Sequence, residues 1–166
     1  MANTHDEHGP DCTCGRHDHE HEHEHVGEHD HGHDHHHDHA RERVLELSWG
    51  TATLEPHVHE QAATVSATIS VQPGSAVTFD TLVKALQAVA QHVESAGGIV
   101  GHIKAYAKAG DSFAHASTTD ARHAPSCEGD ASLPLSPEAQ CQLVAIALLI
   151  DLEQLEQIVV DALMGP

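Results

Sequence analysis

Aromatic side chains are nearly missing from this 166-residue chain: two Phe, one Tyr and one Trp. Any core must therefore be assembled from Val, Ile, Leu and Ala. Positive charge is scarce too, with seven Lys and Arg against twenty-six Asp and Glu and a net charge of −19. Residues 41–166 alone carry six basic against fifteen acidic side chains. That balance argues against nucleic acid and anionic membranes as partners, since both require basic surface. The longest apolar run, Leu143 to Ile150, has eight residues, against the ~18 needed to span a bilayer. No basic segment followed by an apolar stretch opens the chain, so no export signal is expected. Cysteine is limited to Cys12, Cys14, Cys127 and Cys141, which without export reads as thiols in a reducing cytosol rather than a disulfide framework. Catalytic signatures are missing as well: there is no G-x-S-x-G elbow, no H-E-x-x-H and no Gly-rich phosphate loop. The expectation is a binding protein rather than an enzyme.

What the chain has in abundance is histidine. Of its twenty, fourteen fall in the first forty residues: His5, His8, His17, His19, His21, His23, His25, His29, His31, His33, His35, His36, His37 and His39. Most recur at every second position with Asp or Glu between them. Apart from Val26, the alanines, Cys12, Cys14 and Met1, residues 1–40 offer nothing apolar. Such a segment cannot bury enough surface to offset the entropy of ordering it, so it is expected to be a disordered tail. Its chemistry is divalent-metal binding. Imidazole is mostly neutral at pH 7, and alternate spacing sets successive rings roughly 6.5 Å apart on one side of an extended chain. Three or four can then fold around one ion, with carboxylates as occasional ligands. The tail has one Arg against eleven Asp and Glu, a balance of −10 with His neutral, which attracts dications. Protonating all fourteen imidazoles reverses that to +4, so acid releases metal and inverts the charge. Ni(II) or Zn(II), several per chain, are the expected ions, with Cu(II) competing in vitro on intrinsic affinity.

Residues 5–39 resemble the histidine-rich segments of nickel and zinc accessory proteins: the hydrogenase and urease maturation factors and related metallochaperone GTPases. The resemblance implies metal storage or delivery, with a client or accessory protein of metal-enzyme maturation or metal transport as partner. Those GTPases carry a P-loop, G-x-x-x-x-G-K-[ST], and neither Gly97-Gly98 nor Gly101 is followed by the Lys-Ser/Thr it requires. Nucleotide hydrolysis is therefore not shared.

Residues 41–166 suit one small α+β domain. Alternation predicts a strand over 44–54, with Leu45, Leu47 and Trp49 pointing one way, then a turn at 55–60 around Pro56. A second strand is expected over 62–72, with Val65, Ala67, Ile69 and Val71 inward. A helix over 79–96 follows from the stripe Phe79, Leu82, Val83, Leu86, Val89, Ala90 and Val93, with Thr78 as N-cap and Gly97-Gly98 closing it. A third strand spans 99–108, with Ile99, Ile103, Ala105 and Ala107 on one face. Residues 109–135 show no periodicity and read as a mobile insertion. The last stretch reads as a strand over 141–150 and a helix over 152–164 started by Asp151 and Gln154; a single helix over 137–164 is the rival. The resulting order, ββαββα, predicts two helices on one face of a four-stranded antiparallel sheet, a permuted ferredoxin-like sandwich.

Smaller constellations add candidates. Cys12-x-Cys14 beside His8 and His17 offers a mixed thiolate–imidazole site. His57-x-His59, in the expected turn, is a second candidate pair for passing metal between tail and domain. His115, His123 and Cys127, in the expected insertion, offer a third set, although their spacing matches no structural zinc pattern. His102, Lys104 and Tyr106 share one strand face and read as the solvated side of the sheet. Cys141 reads as a buried structural thiol. The function expected is a cytosolic metal-handling protein for storage, buffering or delivery. The alternative is a metal-responsive interaction module, possibly a homodimer.

Overall fold

The computed structural model describes residues 42–165, and the fourteen tail histidines with Cys12 and Cys14 lie outside them. The elements are β1 (Arg43–Leu47), β2 (Gly50–His59), β3 (Ala62–Val71), α1 (Phe79–Ser95), β4 (Ile99–Ala109), β5 (Ser112–Thr118), β6 (Ser126–Gly129), β7 (Gln140–Leu148) and α2 (Leu152–Met164). All seven strands join one antiparallel sheet in the order β1-β2-β3-β7-β4-β5-β6. Both helices pack on the same side of it, α1 over β4 and β5, α2 over β1 to β3, and they touch each other. The two-layer α+β architecture expected from the pattern is therefore present. The order ββαββα is not: the chain runs βββαββββα, and the expected ferredoxin-like sandwich gives way to a broader sheet.

Each departure has a local cause. The expected strand over 44–54 is two strands joined by a tight turn at Ser48-Trp49, with Leu47 opposite Gly50. The turn shifts the inward parity from Leu45 and Leu47 to Gly50, Ala52 and Leu54, and leaves Trp49 half-buried at the bend. Gly50 is required there, because a Cβ would run into the carbonyl oxygen of Ser70. Pro56 does not turn the chain; it sits buried inside β2 opposite Val65. Pairing with β1 ends at Leu54, so from Glu55 onward β2 is the sheet edge and the missing N–H deprives no neighbour. In β4 a bulge between Val100 and His102 slips the register, burying Val100 and leaving Ile99 52 % exposed, the reverse of strict alternation.

Residues 109–135 are not a structureless insertion. Ser112–Thr118 turns Ala114, Ala116 and Thr118 inward, and β6 pairs against it. The rest is tied down by backbone bonds from Phe79 N–H to Leu133 O and from Leu135 N–H to Val77 O, with both leucines buried. Alanine carries the inward face of β5, so the alternation is real but weakly apolar.

Helix ends follow their residues. Asp151 caps α2 by accepting the Gln154 backbone N–H at 2.7 Å. Thr78 occupies the N-cap position of α1 but makes no side-chain bond there, contrary to expectation. Gly97 closes α1 at φ +84°, a left-handed conformation that glycine takes without a Cβ penalty. Phe79 is the largest fully buried side chain, in a core otherwise built almost entirely of alanine, valine, leucine and isoleucine. The single long helix over 137–164 is ruled out by Leu149, at φ +57° between β7 and α2.

Candidate metal centre

Histidine positions in the domain follow from strand alternation. His57 and His59 lie on the same face of β2, opposite Thr64 and Ala62, both exposed. They belong to a strand at the sheet edge, not to the expected turn, which is the tighter Glu60-Gln61 connection with Glu60 at φ +56°. Their shared face follows from the two-residue repeat and gives a bidentate pair at most. Glu55, two positions earlier, continues the same row of the strand.

The third set does not assemble. His115 on β5 pairs with Glu128 on β6, while Cys127 pairs with Ala116, so His115 and Cys127 point to opposite sides of the sheet. His123, in the loop between β5 and β6, is held elsewhere: its Nδ1 lies 2.9 Å from Oδ2 of Asp120. The Asp120 carboxylate also accepts the backbone N–H of Arg122 and of His123. The side-chain bond to His123, then these two backbone bonds, hold the Asp120 carboxyl below the ordinary carboxylate range. Nothing in the spacing of Asp120 and His123 singled out this clasp, which closes only because the loop bends back on itself. A bond from the Ala121 N–H to Oε1 of Glu94 anchors the same loop to α1. Among the described residues, no three His, Cys, Asp or Glu side chains converge where they could hold an ion.

The expected row on β4 is present. His102, Lys104, Tyr106 and Lys108 share the face turned away from the helices. His102 is half-buried, and burial first, then the nearby charges of Lys104 and His115, lower its pKa from the ordinary value. Such a ring stays neutral more readily, which suits a metal ligand but is equally the property of any partly covered histidine. Cys141, on β7, faces the helices, and burial pushes its thiol up to about 11. A thiol so placed offers little thiolate to metal or oxidant at neutral pH. Cys127 is exposed.

The candidate ligands that remain are therefore the tail set and the His57-x-His59 pair. Among the described residues, no helix is long and apolar enough to cross a membrane. No known family model, curated protein or solved structure matches the chain.

Proposed function

We propose that this protein binds divalent metal, nickel or zinc, and acts in its storage, buffering or delivery to a client protein in the cytosol. The observation that carries the reading is the alternation of fourteen histidines with eleven acidic residues in the first forty positions. Imidazole supplies the ligand, carboxylate the compensating charge, and the repeat lets neighbouring rings share an ion. At three or four imidazoles per ion, the tail holds roughly three to five metals. The lack of a converged ligand group among the described residues of the domain is consistent with the tail as the carrier. The domain then serves recognition rather than chemistry.

Calorimetric titration with Ni(II) and Zn(II) tests this on the full chain against a full-length variant with the fourteen tail histidines replaced by Asn. Several ions per wild-type chain and no more than one per variant chain are expected. Equal uptake by the two overturns the reading. Bound metal is also expected to leave as the pH falls from 7 to 5, because protonation of imidazole near its ordinary pKa of ~6.5 competes with the ion.

A second reading, a metal-responsive interaction module, is favoured by one feature: the sheet face away from the helices is uncovered among the described residues and carries Val144, Ile146 and Leu148. A molecular mass by light scattering that changes with metal loading supports it. A constant mass counts against it.

A further inference from the structure

The seven-stranded sheet buries one face under two helices, and the other face has a definite pattern of its own. Its middle strand, β7, sets Val144, Ile146 and Leu148 in a half-buried apolar stripe on that side. To one side of the stripe, β1 and β2 contribute the exposed acids Glu46 and Glu55. To the other, β4 contributes the exposed bases Lys104 and Lys108 next to the stripe, with the acid Glu128 farther out on the edge strand β6. Among the described residues, none of Glu46, Glu55, Lys104 and Lys108 has an ion-pair partner. They are also aligned: Glu55, Ser66, Val144 and Lys104 pair successively across β2, β3, β7 and β4.

We propose that this face is a homodimer interface, in which two copies pack sheet to sheet about a two-fold axis running along β7. A half-turn about that axis keeps each residue at its height along the strands and exchanges the two sides of the sheet. Lys104 of one copy then comes over Ser66 of the other, beside Glu55, and both contacts repeat by symmetry. Tyr106 comes over Thr68, where Thr68, Ser70, Gln140 and Gln142 border a shallow depression next to each copy's own Tyr106. Apolar stripe meets apolar stripe. A two-fold axis perpendicular to the strands would instead lay basic side on basic side, which charge disfavours. Six strands at ~4.8 Å spacing and eight residues of length give a face of roughly 700 Å², close to the ~800 Å² per partner of a standard interface. The inference stands apart from metal binding.

Sedimentation equilibrium of the full chain in excess EDTA tests it, the chelator removing any association bridged by tail-bound ions. Wild type is expected at twice the 17.7 kDa chain mass. The variants Lys104→Glu/Lys108→Glu and Glu46→Lys/Glu55→Lys each place like charges on both sides of the stripe, and each alone is expected to lose about tenfold or more in dimer affinity. Mixed in equal amounts they are expected to regain it as a heterodimer. All four positions are exposed, and circular dichroism confirms that each variant is folded before the comparison. A wild type at single-chain mass, a dimer indifferent to either charge reversal, or a loss that mixing does not restore each overturns the proposal.

Discussion

The two faces of this sheet are written by alternate residues of the same strands, yet they obey different rules. Toward the helices the side chains are Leu54, Val65, Ile69, Ile103 and Leu143, interspersed with Ala52, Ala67, Ala105, Ala114 and Ala145, and every one is buried. Away from the helices they are Thr51, Thr53, Thr64, Ser66, His102, Lys104 and Tyr106, flanking the stripe Val144, Ile146 and Leu148, and none of them is buried. The alanines let α1 approach closely where aromatics are lacking. The opposite face meets no helix of its own chain among the described residues, so small hydroxyls and charges border its central apolar stripe. Composition on a strand thus reports which neighbour its side chains meet, not how firmly the strand is held.

Breaking the packed face should cost most. Phe79→Ala is expected to lower unfolding free energy by about 3–5 kcal/mol, read from urea denaturation, because a fully buried ring leaves a cavity behind. A loss under about 1 kcal/mol would mean the α1–sheet interface is not close-packed. Alkylation sharpens the contrast from another direction. With its thiol pushed up to about 11, Cys141 is expected to react with iodoacetamide at pH 8 at least ~100-fold more slowly than an ordinary thiol, followed by peptide mass spectrometry. Labelling of Cys141 at the same rate as the exposed Cys127 in the native protein would contradict its burial.

Gly50→Ala is expected to destabilise by about 1–3 kcal/mol despite adding a single methyl, since the new Cβ meets the Ser70 carbonyl. On the opposite face, Thr68→Ala should leave the unfolding free energy of the single chain within ~0.5 kcal/mol of wild type, by the same denaturation measurement at dilutions that separate the copies. The smallest effect concerns His102. Its imidazole is expected to titrate below ~6.5 by NMR, and Lys104→Ala to move the midpoint part of the way back up, burial being the larger cause. Because the folded ring binds its proton less tightly than the unfolded one, its contribution to stability is present above the unfolded pKa. That contribution is lost as the pH falls through the lower folded value. A midpoint above 6.5 would contradict both burial and the neighbouring positive charge as causes.

Much of this was legible residue by residue. The α1 stripe from Phe79 to Val93, the Asp151 cap, the alternation of β3 and the final strand–helix pair follow from spacings of two, three and four positions. What escaped was carried by weak or masked local signals. Ser112–Thr118 alternates with alanine instead of valine or leucine, so it reads as irregular until α1 is placed above it. Ser48-Trp49 contains no proline, and the one adjoining glycine, Gly50, falls on the first residue of β2, so the turn between β1 and β2 was hidden within one apparent strand. Pro56 looked like a strand breaker, yet it is harmless because β1 has already ended beside it. The metal candidates divided the same way: the tail set is proposed from composition alone, whereas the failure of His115 and Cys127 to meet depends on a pairing register.

Periodicity alone settled that the body alternates strands with two amphipathic helices, and that the first forty residues offer imidazole and carboxylate rather than a core. Tertiary structure decided that β7 enters the middle of the sheet between β3 and β4, and which side the strand histidines His57, His59, His102 and His115 face. The physical reason is one of range. A side chain's direction within a strand depends on its immediate neighbours. The strand it lies beside depends on contacts such as Ile69 with Cys141, far apart along the chain and joined only when the whole sheet closes.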